Sequence, residues 1–382
     1  MTQRTDQPQF SRSTLAVKGG VDLRPGDGVA PPILLASTFV LTGDPGPGEY
    51  FYARSDSPAY APLERVMAEL EGGRDAVLFN AGIAAASALF EEVQPGTALV
   101  MAQDSYFGIR VRALNMLPPR GVEVRLVDQQ DLEAVERALD GATFLWTETP
   151  TNPHLAVCDL AAIGKLAERK GVPWVCDNTF ATPMLQRPLE FGAVAVMHSV
   201  TKYIGGHSDL ILGAAVCADP ELAKRLRERR NGAGTQPDGF SCWLARRGLQ
   251  TLPLRIKHQS ASALELAQRL RKHPAVMRVY YPGLPDDPGH ETAKRQMDGG
   301  FGGILSIVVR GGAAAAERVV ESLEVWVPAT SLGGVESLIE RRARWAGEVA
   351  DPALLRLSVG LEDVEDLWWD LSQALDRACR AE

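Results

Sequence analysis

Between about residues 60 and 230, the chain alternates short apolar runs with longer segments whose apolar residues recur at helical spacing. The apolar runs cover residues 98–104, 122–128, 142–150, 172–178, 193–199 and 210–218. The segments with helical spacing cover residues 62–71, 83–93, 131–140 and 159–170. Near-continuous apolar strands separated by helices are typical of βαβ units, in which helices cover both faces of a sheet. The pattern therefore predicts an α/β domain with a mostly parallel central sheet.

After about residue 240 this regular alternation ends. Helices are predicted at residues 260–272, 313–323 and 362–378, and strands at 302–309 and 354–360. We interpret this part as a smaller α+β domain. The first 45 residues are rich in proline and glycine, which favours an arm over a core segment. The predicted organisation is an N-terminal arm at 1–45, a large domain at 46–240 and a small C-terminal domain at 241–382.

The composition narrows the classes of partner. The 382 residues carry a formal net charge of −8, which disfavours nucleic-acid binding because phosphate-binding surfaces are basic. The longest apolar run, 210–218, has about half the length of a membrane span, and the polar first ten residues resemble no signal peptide. The five cysteines form no CxxC pair, and neither His198 nor His207 has a ligand at metal-site spacing. We expect a cytoplasmic protein with no metal site, nucleic-acid partner or membrane partner.

Polar residues follow several predicted strands, at the edge where ligands bind in an open parallel sheet. Ser199, Thr201 and Lys202 follow one strand. Residues two apart in an extended segment point the same way, so the two hydroxyls face one spot beside an amine. This group suits a phosphate, and the lysine could form a Schiff base. The alternative is a capped turn with a surface lysine.

Three further residues have a functional and a structural interpretation each. Asp177 follows an apolar strand, where a cofactor ring nitrogen would satisfy a buried carboxylate; the alternative is a helix N-cap. Gly82 opens a small-residue helix, where N–H groups can approach an anion; the alternative is close helix packing. Tyr106 is either a stacking ring or a core residue. Together, a phosphate cradle, a Schiff-base lysine, a pyridinium partner and a stacking ring indicate a pyridoxal-phosphate site.

Residues 198–209, HSVTKYIGGHSD, resemble the lysine motif of the cystathionine γ-synthase/γ-lyase family of Cys/Met-metabolism enzymes, which use pyridoxal 5′-phosphate (PLP). Further matches lie at 52–58, 149–153, 176–183, 246–255, 279–290, 329–338 and 355–367. The resemblance covers nearly the whole chain. It implies PLP fold type I, the aspartate-aminotransferase-like fold, and a small-molecule amino acid as the substrate.

The resemblance also implies roles for the matching residues. Lys202 would bind the PLP aldehyde and move protons, Asp177 would pair with the pyridinium nitrogen, and Tyr106 would stack on the ring and could protonate the leaving group. Phosphate contacts are implied for the backbone of Gly82 and Ile83 and for Ser199 and Thr201. Substrate contacts at the α-carboxylate are implied for Asn152, which is also near the cofactor hydroxyl, and for Ser331 and Arg356.

Tyr52 and Arg54 match a pair that reaches the phosphate of a neighbouring subunit. The resemblance therefore implies a homotetramer built as a dimer of dimers, with the active site shared across the dimer. Around this pair the chain departs from the usual pattern, with Ala53 in place of a serine and Ser57-Pro58 in place of Asn-Pro. Because Tyr52 and Arg54 are retained, we expect the contact between subunits to be retained too.

A second departure follows residue 338, where the family often continues with His-Pro and then Thr-His. Residues 339–345 of this chain read IERRARW. In the family this segment lies near the distal end of the substrate. The three arginines, Arg341, Arg342 and Arg344, either favour a substrate with a second carboxylate, such as cystathionine, or form a solvated basic turn.

The expected reaction is γ-elimination on cystathionine, giving cysteine, 2-oxobutyrate and ammonia, because the IERRARW run is similar to that of a bacterial γ-lyase subgroup. Residues 107–109 lack the cysteine typical of methionine γ-lyases, and residues 331–333 lack the aromatic residue typical of bacterial β-lyases. The alternatives are γ-replacement on an acylated homoserine, as in cystathionine γ-synthase, and methionine γ-lyase activity. Outside the family, the alternatives are a PLP-binding carrier or regulator without turnover and a nicotinamide dehydrogenase, the latter disfavoured by the lack of an early GxGxxG.

Overall fold

The computed structural model describes residues 10–44, 46, 49–345 and 347–380. Its strands are Asp75–Phe79 (β1), Ala98–Ala102 (β2), Glu123–Val127 (β3), Ala142–Glu148 (β4), Trp174–Asp177 (β5), Ala195–Ser199 (β6), Gly213–Cys217 (β7), Val276–Tyr280 (β8), Ile304–Val309 (β9), Val327–Pro328 (β10), Leu338–Arg341 (β11) and Leu354–Ser358 (β12). Its α-helices are Arg12–Lys18 (α1), Ala61–Glu71 (α2), Gly82–Phe90 (α3), Phe107–Met116 (α4), Leu132–Ala138 (α5), Leu160–Lys170 (α6), Thr182–Leu185 (α7), Pro220–Ala233 (α8), Gly239–Leu249 (α9), Leu252–Leu270 (α10), His290–Gln296 (α11), Gly312–Glu321 (α12) and Val364–Arg380 (α13). Short 3₁₀ helices lie at Pro118–Arg120, Pro188–Phe191 and Arg342–Arg344.

The first sheet has seven strands in the order β1-β7-β6-β5-β4-β2-β3. Strands β2 to β6 run parallel, and β7 pairs antiparallel with both β1 and β6. Alternate strand residues enter clusters on opposite faces: Val175 packs with α3, α4 and α8, whereas Trp174 and Cys176 pack with α5 and α6. The prediction of a mostly parallel sheet covered by helices is confirmed.

The ends of the helices in this unit follow from local sequence. Helices α5, α6, α8 and α9 each begin after an aspartate whose carboxylate accepts a hydrogen bond from an N–H of the first turn; these residues are Asp131, Asp159, Asp219 and Asp238. Helix α6 ends at Lys170 and is capped by Gly171, whose φ of 65° lies in the left-handed region that favours glycine. Because β2 to β6 run parallel, the loops after these strands open at one edge of the sheet.

The second sheet has five strands in the order β10-β11-β12-β9-β8 and is antiparallel except for the pairing of β10 with β11. Its residues pack with α10, α12 and α13 in a separate apolar cluster. This is the predicted smaller α+β unit. Strand β12 lies inside this sheet, so a residue on it is held by neighbours on both sides.

Helix α10 connects the two units and is longer than predicted, because it starts at Leu252 rather than near residue 260. Ile256 belongs to the cluster under the first sheet, whereas Leu266 belongs to the cluster of the second. The two cores therefore meet along one helix. The domain boundary at 240/241 stays a prediction.

The predicted arm is anchored to the large unit over α1, which was not expected. Ala16 is fully buried, and the Arg246 guanidinium donates hydrogen bonds to the carbonyl oxygens of Ala16, Val17 and Gly19. Residues 1–9 and 45 of the arm lie outside the described residues. No helix in the described ranges has the length and apolar character needed to cross a membrane.

Candidate active site

A cavity of about 290 Å³ opens where the carboxyl ends of the parallel strands face the small unit. All the predicted site residues except Tyr52 and Arg54 line it, together with residues that the sequence analysis did not single out. The predicted residues in the wall are Gly82, Ile83, Tyr106, Asn152, Asp177, Ser199, Thr201, Lys202, Ser331 and Arg356. The cavity therefore brings together residues from both units.

Lys202 follows β6, and its amine donates a hydrogen bond to the Ser331 hydroxyl at 2.7 Å. Burial, together with the Arg356 and Arg342 guanidinium groups and opposed by the Glu340 carboxylate, lowers the pKa of Lys202 to about 8. A neutral amine is the form that attacks an aldehyde. The structure thus places an amine whose pKa is lowered toward neutrality in the wall of the cavity.

Asp177 ends β5 and is buried. One of its carboxylate oxygens, Oδ1, accepts hydrogen bonds from the Thr179 N–H at 3.0 Å and the Thr179 hydroxyl at 2.5 Å. Among the described residues, no group donates to the other oxygen, Oδ2. Burial raises the pKa of Asp177, and the two Thr179 hydrogen bonds and nearby His198 counteract this only in part. A buried carboxylate with one free oxygen is suited to a cationic ring N–H in the cavity.

The residues for a phosphate meet at the start of α3. The first N–H groups of a helix have no intrahelical acceptor, and here they belong to Gly82 and Ile83. A Cβ at position 82 would lie 3.1 Å from the Ser199 Cβ, so glycine keeps this approach open. The Thr201 hydroxyl donates to the Leu212 carbonyl oxygen at 3.1 Å. It must therefore rotate and break this hydrogen bond before it can donate to a phosphate.

Glu148 is a cavity residue that the sequence analysis missed. It ends β4, is buried, and accepts the Tyr106 N–H at 2.7 Å and the Asn152 N–H at 2.9 Å. Burial raises the pKa of Glu148 well above its usual range, and the Asp177 carboxylate raises it further. Its place at the carboxyl end of a predicted strand was the available signal. Glu148 holds the segments that carry Tyr106 and Asn152 against each other.

Arg356 lies on β12 and is buried. Its guanidinium donates to the Asn152 side-chain oxygen at 3.2 Å, the Ser331 carbonyl oxygen at 2.8 Å and the Glu340 carboxylate at 2.9 Å. Burial lowers the pKa of Arg356 to about 10, which leaves the group charged at neutral pH. Ser331 has a φ of 90°, an uncommon conformation for a residue other than glycine. That turn directs its hydroxyl to Lys202 and its carbonyl to Arg356.

The structure separates the three arginines of the IERRARW run. Arg342 is buried, lines the cavity and pairs with Glu340 at 2.8 Å. Arg341 and Arg344 instead pair with Glu317, outside the cavity wall. The solvated basic turn is therefore a wrong interpretation for Arg342.

A family model described as Cys/Met metabolism PLP-dependent enzyme matches residues 13–376. This chain belongs to the family of Cys/Met metabolism PLP-dependent enzymes. The family assignment from the sequence is confirmed, and PLP is the cofactor of this enzyme.

The relatives of this PLP-dependent enzyme catalyse more than one reaction. Cystathionine gamma-synthase of Mycobacterium tuberculosis is 44% identical over 376 residues, covering 95% of this chain and 96% of the relative. A protein of Streptomyces coelicolor named putative cystathionine gamma-lyase is 40% identical over 349 residues, covering 90% and 88%. Other family matches are named cystathionine beta-lyase and methionine gamma lyase. The comparisons therefore assign the family but not one reaction within it.

The solved structures support the fold. The structure of cystathionine gamma synthase from Xanthomonas oryzae in complex with cystathionine has a TM-score of 0.93 and is 39% identical. The alignment covers 98% of this chain and all of that chain. PLP fold type I is thus confirmed for this enzyme.

The residues of the cavity fit the cofactor of this PLP-dependent enzyme. The free oxygen of Asp177 suits the ring nitrogen, the helix start at Gly82 suits the phosphate, and the Lys202 amine suits the aldehyde. No metal-binding group of three or more His, Cys, Asp or Glu residues occurs in the part of the chain that the structure describes.

Tyr52 and Arg54 lie away from this cavity. The Tyr52 side chain is exposed, and the Arg54 guanidinium lies 5.6 Å from its ring and donates to the Asn231 carbonyl oxygen at 3.3 Å. Their contact with the phosphate of a neighbouring subunit stays a prediction.

Proposed function

We propose that this PLP-dependent enzyme performs γ-elimination on L-cystathionine, giving cysteine, 2-oxobutyrate and ammonia. The observation that carries the amino-acid chemistry of this proposal is the bridge made by Ser331, whose hydroxyl accepts from Lys202 and whose carbonyl accepts from Arg356. This bridge holds a proton-carrying amine at a set distance from a carboxylate clamp. An amino acid bound by Arg356 would therefore present its α-carbon to Lys202.

Four side chains of the cavity have separate roles in the proposed reaction. PLP, when bound, supplies the electron sink that stabilises negative charge at the α-carbon. Arg356 binds the α-carboxylate, and Lys202 removes the α-proton and returns protons along the substrate chain. Asp177 keeps the ring nitrogen protonated, and Tyr106, at the cavity mouth, donates a proton to the departing sulfur. The reaction breaks the bond between Cγ and sulfur, and water then releases ammonia from the four-carbon fragment as 2-oxobutyrate forms.

The substrate assignment is supported by three further observations. The relative from Xanthomonas oryzae is described in complex with cystathionine, and the relative from Streptomyces coelicolor carries the name putative cystathionine gamma-lyase. The IERRARW segment of this chain is similar to that of a bacterial γ-lyase subgroup.

The second candidate is γ-replacement, in which cysteine displaces the acyl group of an acylated homoserine and cystathionine forms. The relatives at 44% identity named cystathionine gamma-synthase favour it. Both reactions need the same amine, carboxylate clamp and ring-nitrogen partner. They differ in whether a thiol enters after the leaving group departs.

Product analysis with the purified holoenzyme distinguishes the candidates. Cysteine and 2-oxobutyrate from cystathionine support the proposal, and homocysteine with pyruvate would identify a β-lyase instead. Net formation of cystathionine from an acylated homoserine and cysteine would identify a synthase. If PLP stays bound and none of these substrates, nor methionine, gives a product, the protein would be a PLP carrier without turnover. Lys202→Ala is the control and should give no product in any arm.

We further propose that the enzyme is a cytoplasmic homotetramer built as a dimer of dimers, in which Tyr52 and Arg54 complete the phosphate site of the partner subunit. The exposure of Tyr52 supports this, because a large aromatic side chain beside an arginine is typical of an interface. Light scattering measures the assembly. Mixing inactive Lys202→Ala with weakly active Arg54→Ala subunits should restore activity, because some sites in the mixed dimers then contain both native residues.

A further inference from the structure

Arg342 is held rigidly in the wall of the catalytic cavity. Only 3% of it is exposed, although it belongs to a run of arginines on a turn. One guanidinium nitrogen, NH1, donates to the Glu340 carboxylate at 2.8 Å, and the other, NH2, donates to the Glu348 carboxylate. Both glutamates lie in the interior, with side chains 1% and 2% exposed. Two buried carboxylates thus fix the plane of this guanidinium.

The Arg342 guanidinium retains a donor without a partner. Its Nε–H is buried and finds no acceptor among the described residues. Leaving such a group unsatisfied is costly, and a polar residue in a cavity wall can be satisfied by the ligand. The charges of the two arginines and two glutamates in this network balance, so a ligand carboxylate is favoured here by the unpartnered N–H donor and not by an excess of positive charge.

Arg342 and Arg356 form a pair of guanidinium groups at a fixed spacing. Both donate to the same oxygen of Glu340, Oε2, at 2.8 Å and 2.9 Å. Both line the cavity that contains Lys202, and the Nε–H of Arg356 is also without an acceptor in the described part of the chain. Guanidinium groups bind carboxylates through paired N–H donors. Two of them in one wall suit a ligand with two carboxylates.

We propose that Arg342 binds a carboxylate at the far end of the amino-acid substrate, so that the site selects amino acids with two carboxylates over those with an apolar end. This deepens the proposed function and rests on it only in taking the ligand to be an α-amino acid bound through Arg356. The alternative is a purely structural Arg342 that keeps Glu340, and through it Arg356, in place.

Two ligands of equal chain length test this directly. L-2-aminoadipate carries a distal carboxylate, L-norleucine ends in a methyl group, and neither has a leaving group on its γ-carbon. Equilibrium titration of the holoenzyme, followed by the visible absorbance of its bound PLP, gives a dissociation constant for each. The wild-type enzyme should bind aminoadipate more tightly by about 10- to 100-fold, as expected for a charge-assisted hydrogen-bonded pair.

Arg342→Met should remove this preference and leave norleucine binding unchanged. Arg342→Lys should retain part of it, because a lysine keeps the charge without the planar fork. Arg344→Met is the matched control, since the Arg344 side chain is 41% exposed and pairs with Glu317; it should change neither constant.

Two results would overturn the inference. One is equal binding of the two ligands by the wild-type enzyme, a measurement that does not depend on whether Arg342→Met folds. The other is an equal weakening of both ligands in Arg342→Met, which would indicate the structural role. A preference for aminoadipate without turnover of cystathionine would disprove the proposed reaction and leave this inference standing.

Discussion

We predict that Lys202 binds the cofactor aldehyde and that its surroundings set the pH at which it reacts. Burial and the neighbouring guanidinium groups disfavour the charged amine, so its pKa falls to about 8. A lysine in water has a pKa of about 10.4. Because only the neutral amine attacks an aldehyde, covalent attachment of PLP should increase with pH through about 8 and level off above it.

The size of the effect follows from the two pKa values. At pH 7, an amine with a pKa of about 8 is neutral in about 9% of molecules, against about 0.04% for an ordinary lysine. At pH 9 the fractions are about 90% and about 4%. Above pH 9, the fraction of this enzyme with attached PLP should therefore change little with pH, whereas the attached fraction for an exposed lysine should still increase.

Two substitutions should shift this midpoint in opposite directions. Glu340→Gln removes the negative charge that raises the pKa of Lys202, so the midpoint should fall; Arg356→Met removes a positive charge that lowers it, so the midpoint should rise. Each shift should be about one pH unit at most, since burial is the largest cause. Arg344 lies outside the cavity wall, so Arg344→Met should leave the midpoint unchanged.

The assay follows the visible absorbance of the attached cofactor after PLP is added to the cofactor-depleted chain across a pH series. Borohydride trapping and peptide mass mapping then identify Lys202 as the attachment site. A midpoint near 10, or shifts of the same sign for Glu340→Gln and Arg356→Met, would refute this account of the site.

Three further outcomes are expected. Asp177→Asn should lower kcat far more than it lowers bound PLP, because an amide cannot keep the ring nitrogen protonated; a near-normal kcat would contradict that role. Glu148→Gln should lower stability by about 1–3 kcal/mol in thermal unfolding, because an amide can accept from only one of the two backbone N–H groups that Glu148 serves. Arg230→Met should cost about 3–5 kcal/mol in urea unfolding, because Arg230 is fully buried and its loss leaves the Glu64 carboxylate without this cation; a loss under 1 kcal/mol would rule out a stabilising pair.

Much of the fold follows from local sequence. The alternation of apolar runs and helical segments predicted strands β2 to β7 and helices α2, α3, α5 and α6 of the first unit, because near-continuous apolar residues and 3.6-residue spacing report burial directly. The extent of α10 did not follow, since its first half packs under one sheet and its second half under the other. Helix α4 was also missed, because its sequence, FGIRVRALNM, has a weak apolar stripe.

Some residues of the candidate site could be predicted from the sequence and others could not. Residues at the ends of parallel strands, such as Asp177 and Lys202, could be singled out because sheet geometry brings such ends to one edge. Glu148 stood at the same edge, yet its importance depends on accepting two N–H groups from other segments.

The sequence by itself determined the family and the alternation of strands and helices in the first unit, and it indicated the strand-end residues proposed to carry the cofactor chemistry, because these depend on local periodicity and on motifs. Only the tertiary structure decided that one arginine of three, Arg342, enters the cavity and that Ser331 joins Lys202 to Arg356. Residues 202 and 331 are 129 positions apart, and contacts across such separations arise only when the two units pack together.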